Sequence, residues 1–364
     1  MKILCTKNDL LSGINIVLKA VPTRTTLNIL ECILIDTRSG EIKLTANDME
    51  LGIETIIEGE VSDKGLIAIN AKIFSEIIRR LPEGDVEIST DDSFNVNIKC
   101  GKAKFNISGR DGSEFSFLPN VEKERSIYIS QFSLKEIVRQ TLFSINENDN
   151  NKIMTGELFK ITGNRLRVAA LDGHRIAIRE LELKEDFGEM EVIVPGKTLG
   201  EISKILTGGL EDIVKIYFTR NHIVFEFDKT TVVSRLIEGQ YFSVEKMVSS
   251  DYSTKLKINK KELFSCIERA SLLVEVDKKP IVMNIEGSTL KMDIVSSMGS
   301  MEENLEINKE GNDIVIGFNP KFFIDALKVI DDEEISIYLS GAKHPCVIKD
   351  DDNSYNYVIL PVSF

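Results

Sequence analysis

Apolar residues in this chain follow two rhythms, a period of two over short runs and a three-to-four spacing over longer ones, and the two succeed each other in the same order three times. Ile3, Leu10 and Ile14 stand at spacings of +7 and +4, as do Ile127, Leu134 and Val138, and again Leu256, Leu263 and Ile267. Each set predicts a strand that runs into an amphipathic helix. Period-two runs follow, as in Glu41-Ile42-Lys43-Leu44-Thr45, Leu158-Phe159-Lys160-Ile161 and Leu290-Lys291-Met292-Asp293-Ile294, and predict half-buried strands.

A second helix closes the pattern in each repeat. After Leu66-Ile67-Ala68-Ile69, Val192-Ile193-Val194 and Ile314-Val315-Ile316-Gly317-Phe318, the chain reads Lys72, Glu76, Arg79, then Lys197, Glu201, Lys204, then Lys321, Asp325, Lys328. Apolar residues fall at Phe74, Ile77 and Leu81, at Leu199, Ile202 and Leu206, and at Phe323, Ala326 and Ile330. At about 100° per residue the two bases share one face and the apolar set lies opposite. Further alternation at Val86-Glu87-Ile88, Val214-Lys215-Ile216-Tyr217-Phe218 and Ile335-Ser336-Ile337-Tyr338-Leu339 completes the units. The reading is α+β, with three repeated domains of antiparallel sheet plus two helices, divided as 1–122, 123–251 and 252–364.

Composition adds limits. The chain has 364 residues, 42% of them hydrophobic, as expected for folded protein of two or three domains. No run reaches the roughly 18 apolar residues of a membrane span, and the opening Met1-Lys2-Ile3-Leu4-Cys5 lacks a signal-peptide apolar region, so the expected location is the cytoplasm with no membrane contact. Cys5, Cys32, Cys100, Cys266 and Cys346 are odd in number and lie in apolar text, which predicts buried free thiols and neither a metal site nor a cofactor.

Charge changes the picture more. The net charge of −13 argues against a phosphate-rich partner until its distribution is considered. The helix windows 7–19, 71–81, 131–145, 196–206, 259–273 and 319–329 together hold 14 Lys and Arg against 7 Asp and Glu, which leaves the remainder at −20. Helices on one side of a sheet with bases outward make a positive wall. Long cations without interleaved aromatics suit phosphates and not base edges, so binding to double-stranded DNA should be independent of sequence and sensitive to salt. Helices about 10 Å apart around a ring leave a hole of roughly 10 Å for six and roughly 28 Å for twelve, and only the larger passes a duplex. Two copies are therefore expected.

Enzymatic readings have little material. There are three histidines, His174, His222 and His344. Pro195-Gly196-Lys197-Thr198 mimics the end of a phosphate-binding loop, but the Gly required five residues before Gly196 is Glu191. Asp172, His174 and Arg175 share one strand-turn segment, where a structural or binding role is favoured over acid-base chemistry. Two alternatives stay open: a phosphoryl-transfer enzyme using Lys197 and His174, and a scaffold that binds only protein.

The segments Arg24-Thr25-Thr26-Leu27-Asn28-Ile29-Leu30, Leu81-Pro82-Glu83-Gly84, Leu171-Asp172-Gly173-His174-Arg175-Ile176-Ala177, Leu236-Ile237-Glu238-Gly239 and Tyr357-Val358-Ile359-Leu360-Pro361-Val362, in this order and spacing, make the chain similar from end to end to the bacterial DNA polymerase III β subunits, the sliding clamps. The resemblance implies a non-catalytic processivity subunit, a head-to-tail homodimer encircling DNA, and a cleft for short apolar peptides of the replicative polymerase, clamp loader and repair proteins. The cleft would be lined by Met154, Leu171, Gly173, His174, Arg175 and Ile176, by Phe242, Lys246, Asn319 and Phe322, and by Val358, Leu360, Pro361 and Val362. A buried closing strand is the plain alternative for residues 359–362, and both readings can hold for alternate residues. DNA contacts are implied for Arg24, Lys72 and Arg79 and for the loop at Asn148. There Asn150-Asn151-Lys152-Ile153 replaces the aromatic or Arg residues of many relatives, so Lys152 is carried over without any stacking. Phe242-Ser243 stands where Pro-Asp is usual. The ring joint would set Lys102, Lys104, Phe105 and Ile107 against Leu272, Leu273, Glu302 and Glu303 of the second copy, a basic and apolar surface facing an acidic and apolar one.

Overall fold

Each predicted strand-to-helix step is present in the structure, a computed structural model that describes residues 1–123, 125–244, 247, 251–274 and 280–364. Lys2–Thr6 runs directly into α1 (Lys7–Val17), and Leu66–Asn70 into α2 (Ala71–Arg80). The same step leads to α3 (Gln131–Thr141), α4 (Gly196–Ile205), α5 (Lys260–Ser271) and α6 (Pro320–Val329). In five of these six steps the residue just before the helix is a capping type, which makes the turn from strand to helix abrupt. Side chains of Thr6, Asn70, Ser130, Asn259 and Asn319 accept from the amides of Asp9, Ile73, Ser133, Glu262 and Lys321, satisfying donors that a helix start leaves open. Pro320 follows at the first position of α6, where its missing N–H costs nothing.

The second helices bury the expected faces with one adjustment. Phe74, Leu81, Leu199, Ile202, Leu206, Phe323, Ala326 and Ile330 are buried, but Ile77 is half-buried and Ile78 takes the core position. With Phe74 and Leu81 unchanged, the exchange of Ile77 for Ile78 turns the buried stripe of α2 by only about a third of a residue step.

All the described strand pairs are antiparallel, in four sheets. The sheets extend across the repeats. Leu51–Ile57 of the first repeat pairs with Thr230–Arg235 of the second, with the Thr55 and Thr230 hydroxyls 2.9 Å apart. Arg175–Glu182 of the second repeat pairs with Tyr355–Ile359 of the third. Two nine-stranded sheets result, and the middle repeat is divided between two compact units. The first unit is Met1–Leu134 with Glu201–Leu236, and the second is Lys135–Gly200 with Ile237–Phe364. The physical cause is the open strand edge, whose free backbone groups are satisfied by the next repeat's edge.

In the second unit this shared pairing lies between two cores. Ile176 and Val358 are cross-strand partners on one face, packed with Leu158, Leu171, Ile178, Tyr241 and Val347. Ala177 and Tyr357, the next pair, face the other core with Phe323, Leu327 and Ile337. Both faces are covered, so Tyr355–Ile359 is buried along its whole length. The five cysteines are buried and free, as expected. Among the described residues no helix is long and apolar enough to cross a membrane.

Candidate functional site

The second unit presents an apolar surface beside a tight turn. The strand Arg165–Leu171 reverses through Asp172, Gly173 and His174 into Arg175–Glu182. Asp172 forms the turn: its Oδ1 accepts from the amides of His174 at 3.0 Å and Arg175 at 3.1 Å. Gly173 has φ +83°, left-handed backbone that glycine adopts without a Cβ penalty. The His174 carbonyl then accepts from the amide of Leu360 at 2.9 Å, which draws the chain beyond the last strand alongside the turn.

Of the residues expected in the cleft, Leu171, Ile176 and Val358 are buried in one cluster, with Met154 and Phe242 half-buried against it. Ile153, Ile237, Tyr241 and Val244 belong to the same cluster, although the sequence reading passed over them. Beyond the buried strand Leu360 and Val362 are exposed and Pro361 half-buried, so the two readings of 359–362 divide by residue. Phe322 and His174 form a second wall, their rings stacked at 5.9 Å and 16°. Asn319 acts first as the cap of α6. Lys246 lies outside the described residues.

Arg175 is not a free lining group. At 7% exposure it gives Nε to Asp172 Oδ2 at 2.9 Å, Nη1 to Asp325 Oδ2 at 2.6 Å and Nη2 to the Phe143 carbonyl at 2.6 Å. Its guanidinium also lies over the rings of Phe143 and Phe322, at 5.3 and 4.9 Å. Of the acid-base constellation considered from sequence, Asp172 and Arg175 are engaged in structural contacts, while the exposed His174 ring stacks on Phe322.

The bases of the second helices are all exposed: Lys72 and Arg79, Lys197 and Lys204, Lys321 and Lys328. The intervening acids behave differently. Glu76 pairs with Arg79 at 2.6 Å and Arg80 at 2.8 Å, and Glu201 with Lys204 at 2.8 Å, each within its own helix. Asp325 turns away to Arg175 instead. Arg24, Asn148 and Lys152 are exposed on loops or short turns, with Asn151 capping the turn that carries Lys152.

Most of the residues expected at the ring joint lie on two sheet edges, while Leu272 and Leu273 follow the end of α5. Ala103–Ser108 is the outermost strand of one sheet and Gly299–Glu306 of another. Lys102, Lys104 and Phe105 are exposed and Ile107 is half-buried, whereas Leu272 is 74% exposed and Leu273 half-buried. Glu302 pairs with Lys291 at 2.9 Å and Glu303 with Arg269 Nε at 2.9 Å, so neither acid is idle within its own chain. Beside Phe105 a groove of about 580 Å³ is lined by Asn70, Lys72, Ile73, Glu76, Ile77 and Arg80. Ile73 and Ile77 were missed as interface candidates. The signal was present, since Ile73 is an isoleucine off the apolar stripe, and it is 52% exposed.

The phosphate-loop mimic at 195–198 is closed. A Cβ on Gly196 would stand 2.2 Å from Ile145 Cδ1 and 3.0 Å from the Thr155 carbonyl, and Thr198 is buried. Burial pushes the thiols of Cys5 and Cys266 up to about 12, which leaves them protonated and poor nucleophiles.

The chain as a whole is similar to known proteins. Residues 1–119, 128–242 and 246–363 match the models of the N-terminal, central and C-terminal domains of the DNA polymerase III beta subunit. A beta sliding clamp of Staphylococcus epidermidis is 34% identical over 365 residues, 97% of this chain and 96% of that one. The structure of a DNA polymerase III beta subunit from Eubacterium rectale is 61% identical, with TM-score 0.98 over 100% of both chains. The sliding clamp of Bacillus subtilis is 33% identical, with TM-score 0.96 over 100% of this chain and 99% of that one.

Proposed function

Since the chain belongs to the bacterial DNA polymerase III beta subunit family, we propose that it works as a DNA sliding clamp: a non-catalytic processivity subunit that holds polymerase on duplex DNA in the cytoplasm. The observation that carries this reading is the threefold recurrence of exposed bases at the same two positions of the second helix, Lys72 and Arg79, Lys197 and Lys204, Lys321 and Lys328, in a chain of net charge −13. Placed along the lumen of a closed dimer, these bases and Arg24 would meet phosphates without reading base edges, so the ring would be held by topology and could slide. Asn148 and Lys152 would add a loop contact of lesser weight. The repeats would divide near 122 and 251.

Closure would come from a head-to-tail pairing of two copies. The edge strand Ala103–Ser108 of one copy would add to Gly299–Glu306 of the other, satisfying backbone groups that each sheet leaves open. Leu272 and Leu273 would enter the groove beside Phe105 formed by Ile73 and Ile77, with Lys102 and Lys104 facing Glu302 and Glu303. The floor of Leu171, Ile176 and Val358, with Met154, Phe242, Phe322, His174 and the exposed Leu360, Pro361 and Val362, would take apolar anchors of a short partner peptide. The replicative polymerase, the clamp loader and repair proteins would supply such peptides, with Gly173 and Asn319 at the margins.

The test is retention on DNA after loading by a clamp loader at moderate salt. Protein that stays on nicked circles and runs off the same DNA once linearised encircles it. Equal salt-sensitive release from both forms would reduce the interaction to surface binding and overturn the ring.

A further inference from the structure

We propose that Asp325 is a positioning residue of the peptide cleft and acts through Arg175; the inference rests on the reading of the cleft given above.

The starting point is a broken repeat. In α2 and α4 the acid at the fourth position after the leading lysine is a glutamate that pairs along its own helix, Glu76 with Arg79 and Arg80, Glu201 with Lys204. In α6 the same position holds aspartate, one methylene shorter, and its Oδ2 meets Arg175 Nη1 at 2.6 Å across 150 residues of sequence. The basic-face pattern is retained, but its counter-charge has been redeployed.

Its new role follows from what Arg175 holds. The side chains of this pair are 7% and 23% exposed, so the attraction is far less screened than in the exposed pairs of α2 and α4. Asp325 fixes one edge of the guanidinium, the Phe143 carbonyl a second and Asp172 Oδ2 the third. Through its other oxygen Asp172 sets the amides of His174 and Arg175. The turn so fixed stacks the His174 ring on Phe322, itself on α6, and offers the His174 carbonyl to the Leu360 amide. One carboxylate on α6 thereby aligns both the aromatic wall and the strand-end residues at which a peptide's anchors would seat.

Removing that charge leaves the buried guanidinium with one carboxylate partner, Asp172, in place of two, and a weaker neutral hydrogen bond on Nη1. α6 itself remains anchored by Phe323, Ala326 and Leu327 in the core, so the loosening should be confined to the turn and Leu360. A peptide would then have to order this wall on binding.

The experiment pairs affinity with a local reporter in the full-length protein. A fluorescein-labelled hexapeptide with two leucines and a phenylalanine as anchors is titrated by anisotropy, and amide exchange is followed at Leu360 and at Val362, whose N–H goes to the Gly317 carbonyl at 2.8 Å. Asp325→Asn, nearly isosteric, should weaken the peptide about tenfold, as expected for loss of a charged hydrogen bond. Leu360 exchange should speed up while Val362 is unchanged, and Asp325→Glu should restore part of the affinity. Unchanged peptide affinity, or equal acceleration at Leu360 and Val362, would overturn the proposal, the latter marking general loosening. If the wild-type protein fails to bind the peptide while Leu360 still responds to Asp325→Asn, the cleft reading itself falls and the positioning role falls with it.

Discussion

Glu157 and Thr141 meet in a buried hydrogen bond in which the Thr141 hydroxyl faces Glu157 Oε2. The Thr141 hydroxyl oxygen stands 2.8 Å from the Ile137 carbonyl and 3.1 Å from Glu157 Oε2. A hydroxyl has one proton and two acceptors share it here, so Thr141 does little to stabilise a charged Glu157. Burial pushes the Glu157 carboxyl up to about 8, against the weaker opposing effect of the Thr141 hydroxyl.

The sign of the pH dependence follows. The folded chain keeps this proton where the unfolded chain, at its ordinary value of 4.5, has lost it. Stability is therefore fully present below about 4.5 and falls as pH rises toward about 8. Glu157→Gln should remove that slope, and thermal unfolding at pH 6 and pH 9 should show the wild type losing more stability than the variant. Parallel losses would mean that Glu157 is ionised in the fold.

DNA affinity should not respond equally to every basic pair. Glu201 holds Lys204, while the acid of α6 is committed to Arg175. Neutralising Lys321 and Lys328 together should lower the slope of log affinity against log salt by about two, near the limit for two phosphate contacts. Neutralising Lys197 and Lys204 should lower it by less. Binding of a short duplex measured between low and moderate salt gives both slopes, and equal slopes would remove the distinction.

The proposed joint makes a sharp demand on size. Leu272 is 74% exposed and Leu273 only partly packed against the core, so truncating them leaves the fold standing. Leu272→Ala with Leu273→Ala should convert dimers into folded monomers, read by light scattering with unchanged circular dichroism. A dimer mass in the double variant would place the joint elsewhere.

Gly317 gives a test of the tail. A Cβ there would lie 2.6 Å from Phe364 Cδ1 and 2.8 Å from the Val362 carbonyl. The ring can swing aside but the backbone oxygen cannot, so Gly317→Ala should break the bond between the Val362 amide and the Gly317 carbonyl, at a cost of about 1–3 kcal/mol in denaturant unfolding. Peptide affinity should fall with it.

The sequence by itself determined the six helices, most of the buried positions and the basic faces, because each depends on spacing within a dozen residues and on the geometry of one helix or strand. Even so, Ile77 and Ile78 could not be ranked, since adjacent apolar residues differ by a rotation that only packing selects. The cleft residues were carried by resemblance, and their division into the buried floor of Leu171, Ile176 and Val358 and the exposed Leu360 and Val362 came from the second core covering Tyr355–Ile359. Tertiary structure alone decided that Leu51–Ile57 joins Thr230–Arg235, that the middle repeat is shared, and that Asp325 leaves its helix for Arg175. Those relations join residues far apart in sequence, and open edges or buried charges accept any partner of the right chemistry until the fold brings one within about 3 Å.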